Sequence, residues 1–166
     1  MYKKFNEIYH FIDKFKETDF ENLNAKISLI YRNYNNKIDV NLIKRIHSFC
    51  KKTNRKFYLA NEIKLAYQLK LDGAYIPSFN KSLSHNYFIK NKKFKLLGSG
   101  HNQKEIKLKQ KQNIKYIFLS PVFEISKNNN CLGINKFLIL KNLSNQKIIA
   151  LGGINKLNIK KLNMLN

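Results

Sequence analysis

In the segment IIALGGIN, residues 148–155, an apolar run ends on two adjacent glycines. The apolar run has the length and composition of a buried strand. Gly152 and Gly153 predict a tight turn in which another group comes so close to the backbone that no side chain fits. A helical pattern, NKLNIKKLNML, follows at 155–165. This order predicts a strand, a glycine turn and a helix.

The same alternation extends through the rest of the chain. Strands are predicted at 8–12, 27–31, 56–60, 73–76, 95–99, 116–120 and 147–151, and further helices at 39–53, 61–70 and 102–112. Strands separated by helices predict βαβ units on a parallel sheet. Several of the strands are apolar at nearly every position, which is typical of strands covered on both faces. The fold class is therefore α/β, as a barrel or an open doubly wound sheet.

Length and composition set the outer limits. With 166 residues, of which 43% are hydrophobic, the chain is expected to form a single domain over 1–166. No apolar run approaches the roughly 18 residues that span a bilayer, and the first residues lack a signal-peptide core, so we expect a soluble, cytoplasmic protein with no membrane partner. Cys50 and Cys131 lie far apart, which predicts reduced thiols and no zinc site.

The formal net charge of +22 raises the possibility of a nucleic-acid partner. However, only Arg32, Arg45 and Arg55 are arginines, and arginine is the residue that suits phosphates and base edges best. Lysine, asparagine and isoleucine together are what an A/T-biased coding sequence would write at permissive surface positions. We therefore favour compositional drift and expect no specific nucleic-acid binding, with salt-sensitive attraction to any polyanion.

Polar, basic and glycine residues stand where the predicted strands end. Ligands of parallel α/β folds gather at that edge of the sheet, so the set predicts a site for phosphate groups. Its members are Arg32, Asn61, Ser78, Asn80, Ser99, His101, Ser120, Lys127, Gly152 and Gly153.

Four segments, in the same order and spacing, resemble the thiamine phosphate synthase and TenI family. They are FYLANEIKLAYQLKLDGAYIPS (57–78), LLGSGHNQKEI (96–106), YIFLSPVFEISK (116–127) with LGINKF (132–137), and IIALGGIN. The family counterparts run from an Asn-Asp pair to Ala-Asp-Gly-x-His, then Ser-x-His, Gly-Pro-Val-Phe and Gly-Gly-Ile. The resemblance implies a TIM (β/α)8-type barrel and a role in thiamine biosynthesis. The reaction it implies joins hydroxymethylpyrimidine pyrophosphate to thiazole phosphate and releases pyrophosphate.

The resemblance also implies roles for individual residues. Arg32 and Ser99 would contact the pyrophosphate, and Lys127 falls where the family places a phosphate-binding lysine. Gly152 and Gly153 would bind the thiazole phosphate through backbone N–H groups at a helix start, and Ser120 would bind a substrate phosphate. His101 would bind phosphate or, as in the TenI branch, move the proton of thiazole aromatisation.

Several positions depart from the family pattern. Asn61 and Asn80 stand where synthases carry two aspartates that organise Mg²⁺, and an amide oxygen lacks the charge that holds this cation. The magnesium that the resemblance implies would be held almost entirely by the substrate's own pyrophosphate. Tyr34 replaces a lysine and Ser78 a glutamine. Glu124 and Ile125 replace a Pro-Thr pair.

The sequence after 160, KKLNMLN, contains no eighth strand. We therefore expect a barrel lacking its eighth strand and helix. Such a sheet has unpaired edges and an apolar seam, which favours a homo-oligomer that covers the open edge.

Three functional hypotheses follow. The first is a thiamine phosphate synthase, whose activity would depend on magnesium. The alternative is a TenI-like protein that binds thiazole phosphate or tautomerises it through His101 without magnesium. The third is a catalytically inactive basic barrel remnant that binds polyanions with steep salt dependence.

Overall fold

The computed structural model describes residues 7–34, 37–84, 93–125 and 130–163. Contacts within the chain divide it into two compact units. Among the described residues, the amino-terminal unit consists of 7–34, 37–75 and 93–95, and the carboxy-terminal unit of 76–84, 96–125 and 130–163. Each unit is built of parallel strands that alternate with helices. The single domain expected over 1–166 stays a prediction.

The amino-terminal unit contains three strands and all but the last residue of a fourth. They are β1 (Ile8–Ile12), β2 (Ile27–Tyr31), β3 (Phe57–Ala60) and β4 (Gly73–Ile76), and they pair in chain order, all parallel. A 3-10 turn (Glu17–Asp19) links β1 to β2, and α1 (Val40–Lys52) and α2 (Ile63–Gln68) follow β2 and β3. Strands β3 and β4 are buried along their whole length, which explains their continuous apolar sequence.

Local capping and one buried arginine shape this unit. The Asp39 side chain accepts hydrogen bonds from the N–H groups of Asn41 and Leu42 and thereby caps α1. Arg55 is buried, and its guanidinium donates to three backbone carbonyls of the segment before β2. The Phe20 and Asn24 carbonyls also accept backbone N–H groups within this segment, so the arginine adds a second donor to each and ties the segment to the start of β3. Burial raises the pKa of the Cys50 thiol to about 12, consistent with the reduced thiol expected there.

The carboxy-terminal unit contains all but the first residue of β5 (Lys95–Gly100), followed by α3 (Gln103–Lys111), β6 (Tyr116–Leu119), α4 (Gly133–Asn142), β7 (Lys147–Ala150) and α5 (Ile159–Asn163). Strands β5, β6 and β7 pair in that order and are parallel. In the register, Gly100 lies beside Leu119 and Leu119 beside Ala150, so the three strands end at about the same level. The loops that follow them therefore lie side by side.

The predicted strands are confirmed, each to within one residue at either end. The helices expected at 39–53, 61–70 and 102–112 are α1, α2 and α3. In the pattern at 155–165, α5 covers Ile159–Asn163, and residues 164 and 165 lie outside the described residues. Helix α4 was not predicted. Its sequence, GINKFLILKN, buries Phe137 and Leu140 but leaves Ile139 exposed, so its apolar residues follow no clear helical period.

Strand β7 differs from its neighbours in burial. Residues 148–150 are only half-buried, whereas β5 and β6 are almost completely buried. In the part of the chain that the structure describes, β7 is the outer strand of its unit. The homo-oligomer expected to cover an open edge stays a prediction. No helix among the described residues is long and apolar enough to cross a membrane.

Candidate functional site

His101, in the loop after β5, lies between two serines of the carboxy-terminal unit. Its Nδ1 atom is 2.6 Å from the carbonyl oxygen of Ser120, and its Nε2 atom is 3.2 Å from the hydroxyl oxygen of Ser78. A carbonyl oxygen can only accept, so Nδ1 carries the proton of the neutral ring. Nε2 is then the acceptor, and the Ser78 hydroxyl donates to it. Both ring nitrogens are held, which fixes the tautomer and the orientation of the imidazole.

The backbone of His101 is held by the start of α3. Asn102 caps the helix by accepting a hydrogen bond from the N–H group of Glu105 at 3.0 Å. In return the Glu105 carboxylate accepts from the Asn102 amide and from the backbone N–H of His101, both at 2.9 Å. This reciprocal arrangement is a variant of the capping box. It ties the residue that carries the imidazole to the first turn of α3.

The loop after β4, residues 77–82, is bonded to the far end of α3. The side chain of Lys109 is completely buried, and Nζ donates to the carbonyl oxygens of Pro77 at 2.7 Å and Asn80 at 3.0 Å. The amide of Gln112, also completely buried, donates to the carbonyl oxygens of Asn80 at 2.9 Å and Ser82 at 2.8 Å. We call these four bonds the α3 clamp. Sequence reasoning missed both residues.

Burial lowers the pKa of Lys109 to about 8, and the negative charge of Glu105 opposes that shift. A neutral amine still offers two N–H donors, which is the number that the Pro77 and Asn80 carbonyls require. The two bonds from Lys109 therefore do not need its charge.

The two glycines after β7 are required by another segment of the chain. Gly152 and Gly153 have φ angles of +89° and +67°. A Cβ atom on Gly152 would lie 2.8 Å from Cα of Pro121, and one on Gly153 would lie 2.5 Å from the carbonyl oxygens of Phe123 and Glu124. The group that comes close to this backbone is therefore the loop after β6. The N–H group of Phe123 also donates to the carbonyl of Gly152 at 3.1 Å.

The glycine loop leaves a row of backbone donors without protein partners. Within the described residues, the N–H groups of Gly152, Gly153 and Ile154 donate to no protein acceptor. The next residues are internally bonded, because Asn155 and Asn158 each accept a hydrogen bond from the other's backbone N–H. Helix α5 begins at Ile159, so these donors belong to a loop and not to a helix terminus. Three successive free N–H groups can bind an anion such as a phosphate.

In the amino-terminal unit, Arg32 and Asn61 follow β2 and β3 as expected. The N–H of Arg32 donates to the carbonyl of Ile12 at 2.8 Å, and its exposed guanidinium lies 5.4 Å from the centre of the Phe11 ring. Such a position leaves the guanidinium open to an anionic ligand while the ring steadies it. Asn61 has a φ angle of +63°, and its N–H donates to the carbonyl of Tyr75 at 2.8 Å.

Glu62, directly after Asn61, is an acidic residue that sequence reasoning passed over. It lines a water-sized cavity of about 20 Å³ together with Asn33 and Lys37. Burial raises the pKa of its carboxyl group above the ordinary value. The signal that could have found it is the Asn61-Glu62 pair, which corresponds to the Asn-Asp pair of the family. By this correspondence Glu62, and not Asn61 as predicted, occupies the position of the first aspartate, and a carboxylate is kept there.

The structure gives contacts or burial for three of the remaining predicted residues, Ser99, Ser120 and Asn80. Ser99 is buried on β5, and Ser120 contributes its backbone carbonyl to His101. The Oδ1 atom of Asn80 accepts a hydrogen bond from the N–H of Ser82, and its carbonyl oxygen accepts from the α3 clamp. Lys127 lies outside the described residues.

The donor set does not fit a magnesium ion held by the protein. No group of three or more His, Cys, Asp or Glu side chains among the described residues could hold a metal ion. Both oxygen atoms of Asn80 are already engaged with protein donors. A hard cation needs several charged or carbonyl oxygens that converge, and the described residues of the site do not supply them.

Comparison with known proteins identifies the family. Residues 21–165 match the family described as thiamine monophosphate synthase, TMP-TENI. The chain belongs to this family. The resemblance read from the four sequence segments is therefore confirmed.

Two curated relatives are each named thiamine-phosphate synthase. That of Prochlorococcus marinus subsp. pastoris (strain CCMP1986) is 33% identical over 127 residues, covering 70% of this chain and 34% of its own length. That of Prochlorococcus marinus (strain SARG) is 30% identical over 129 residues, covering 72% of this chain and 35% of its own length. The chain spans about a third of the length of these relatives.

A solved structure shares the fold. The thiamine phosphate pyrophosphorylase from Pyrococcus furiosus superposes with a TM-score of 0.74, covering 97% of this chain and 82% of that one, at 14% sequence identity. The fold is thus of the TIM-barrel type, α/β, with seven parallel strands among the described residues. The expected fold class is confirmed.

The glycine loop yields a stability prediction. Gly153→Ala should reduce the free energy of unfolding by at least about 2 kcal/mol more than Gly133→Ala, because both glycines have positive φ but only Gly153 faces backbone oxygens. Gly133 has nothing within 4 Å of its missing Cβ, so its variant carries only the cost of the left-handed backbone. Urea denaturation of the two variants and the wild type measures the difference. Equal losses would contradict the close contact.

Lys109 yields a pH prediction. Its pKa is lower in the folded chain than the ordinary 10.5, so the unfolded chain binds more protons between about pH 8 and 10.5, and the free energy of unfolding rises with pH across that window. The gain should be on the order of 2 kcal/mol relative to Lys109→Met, which has no proton to lose. Urea denaturation at pH 7.5, 9 and 10.5 tests it. A constant difference between the two proteins would show that the Lys109 pKa is ordinary.

Proposed function

We propose that the chain acts in thiamine biosynthesis as a thiamine phosphate synthase-like transferase that binds thiazole phosphate at the glycine loop. The observation that carries this proposal is the row of three free N–H groups at residues 152–154. A phosphate supplies several acceptor oxygens and would satisfy all three donors. Membership of the family and the names of the two curated relatives support the reaction class.

In the proposed reaction, the thiazole ring nitrogen attacks the methylene carbon of hydroxymethylpyrimidine pyrophosphate. The carbon–nitrogen bond forms as the carbon–oxygen bond breaks, and pyrophosphate leaves with the electron pair. The protein would hold the two substrates in line and stabilise the charge on the leaving group. Arg32, Ser99 and Lys127 are the proposed pyrophosphate contacts, and Ser120 would act beside the glycine loop. No step of this proposal runs through a metal ion held by the protein.

The geometry of His101 supports a second candidate, a TenI-like thiazole phosphate tautomerase. With Nδ1 protonated and bonded to the Ser120 carbonyl, Nε2 is the basic atom of the ring. It would accept a proton from the thiazole precursor and return it to another position, so that no net proton is consumed. The Ser78 hydroxyl, which bonds Nε2 at 3.2 Å, would have to rotate away or relay that proton.

An activity assay separates the two candidates. We expect the purified chain to form thiamine phosphate from both substrates in the presence of Mg²⁺. Arg32→Met should lower kcat/KM for the pyrophosphate substrate at least about tenfold, in line with the loss of a charged hydrogen bond. Arg45→Met is the matched control, because Arg45 is an exposed arginine on α1 and should leave the activity unchanged.

Other outcomes would redirect the assignment. Tautomer conversion that His101→Asn abolishes, without formation of thiamine phosphate, would favour the second candidate. Failure to bind thiazole phosphate in calorimetric titration would contradict both. Binding of RNA that loses its affinity steeply with salt, in the absence of either activity, would support the polyanion-binding remnant instead.

A further inference from the structure

Lys109 is the most unusual titratable residue of the carboxy-terminal unit. Its side chain is completely buried, although lysine is rarely buried without a carboxylate partner. Both acceptors of its ammonium group are backbone carbonyls of the loop after β4. The charge therefore forms no ion pair there, and its hydrogen bonds are directed at one loop. This is the arrangement of a residue that holds a loop in place.

Gln112, which directly follows the last residue of α3, donates hydrogen bonds to the same loop. Both acceptors of its Nε2 atom are carbonyl oxygens, so the orientation of the amide is fixed. The opposite atom, Oε1, is buried and finds no hydrogen-bond partner among the described residues. An unsatisfied buried acceptor costs roughly 1–3 kcal/mol. The hydrogen bonds of the Gln112 amide are thus directed at the loop after β4.

Strand β5 carries a glycine where the side chain of Lys109 passes over it. A Cβ atom on Gly98 of β5 would lie 3.2 Å from Cδ of Lys109 and 2.9 Å from Cδ1 of Ile114. The glycine at this position thus lets the stem of Lys109 pass over β5 and reach the loop. Gly98, Lys109 and Gln112 thus all contribute to the packing of the loop after β4 against α3.

The clamped loop forms one wall of an open depression of about 400 Å³. Ser78, Phe79 and Lys81 line it from the loop, and Asn102, Lys104 and Glu105 line it from the start of α3. Ser78 is also the residue that donates to Nε2 of His101. The distance between the loop and α3 therefore decides whether the Ser78 hydroxyl reaches the imidazole.

We propose that Lys109 and Gln112 are positioning residues, which hold the loop after β4 against α3 so that the Ser78 hydroxyl donates to Nε2 of His101. Neither side chain touches the imidazole, and each acts through the backbone of residues 77–82. The Ser78–His101 contact is present at the rim independently of any substrate. Its consequence for turnover rests on the second candidate function, the tautomerase, in which Nε2 of His101 is the basic atom.

The test reads the imidazole directly. Nitrogen-15 NMR of the full chain, by long-range proton–nitrogen correlation at one pH, reports the hydrogen bonding of each histidine ring nitrogen. His101→Gln identifies the resonance, and Ser78→Ala gives the shift of Nε2 without its donor. Lys109→Met keeps the apolar stem and removes the amine, and with it the two hydrogen bonds to the Pro77 and Asn80 carbonyls. Lys111→Met is the matched control, because Lys111 is an exposed lysine on the same helix.

We expect Lys109→Met and Gln112→Leu each to move the Nε2 resonance by at least half the shift produced by Ser78→Ala, and Lys111→Met to leave it in place. A folded Lys109→Met protein with the wild-type Nε2 resonance would overturn the proposal. If that variant does not fold, Gln112→Leu decides the question by the same criterion, because it removes two of the four bonds of the α3 clamp.

Kinetics test the functional half separately. In the tautomerase reaction, Lys109→Met should lower kcat at least about fivefold and leave KM for thiazole phosphate within twofold, because the glycine loop that would bind phosphate is not part of the α3 clamp. A kcat that stays unchanged although the Nε2 resonance shifts would overturn the functional half of the proposal. Absence of tautomerase turnover in the wild type would contradict the second candidate function, and the NMR result would still decide the positioning role.

Discussion

The carboxy-terminal unit depends on the direct contact between the loop after β6 and the glycine loop after β7. At Gly152 and Gly153 the backbone of residues 121–124 occupies the space that side chains would take. Both glycines also have positive φ angles, which other residues adopt only at a cost. The two requirements together fix the path of the chain just beyond β7. Among the residues that the structure describes, the N–H groups of 152–154 have no protein acceptor, and the proposed phosphate site rests on this.

A second network in the same unit, around His101, is held by side-chain hydrogen bonds. The capping residues of α3 hold the backbone of His101, the Ser120 carbonyl sets its tautomer, and the α3 clamp fixes the loop that carries Ser78. In this network, hydrogen bonds from buried or capping side chains hold the backbone in place. In the glycine loop, by contrast, the missing side chains of Gly152 and Gly153 allow the close backbone contact. The glycine loop and the His101 network share one segment, because Ser120 directly precedes the loop that packs on Gly152. Phosphate binding and proton transfer would therefore occur at neighbouring positions of one unit.

The sequence was sufficient for the strands, because strands buried on both faces are apolar throughout and end at glycine or polar residues. It was not sufficient for α4, whose apolar residues lie on several faces of the helix. It indicated that Gly152 and Gly153 need a close neighbour but not that the neighbour is residues 121–124, because that contact joins segments about 30 residues apart. Lys109 could not be distinguished among the 32 lysines and arginines, since its role depends on burial. Glu62 could have been found, because the Asn-Glu pair is visible in the sequence.

We propose that the free amides of the glycine loop bind the phosphate of a thiazole phosphate. A titration followed by proton–nitrogen NMR, with thiazole phosphate and then with the thiazole alcohol that lacks the phosphate, tests this binding. We expect the amide resonances of Gly152, Gly153 and Ile154 to shift and saturate with the phosphate and not to move with the alcohol. Resonances that stay in place with thiazole phosphate, or that move equally with the alcohol, would contradict it.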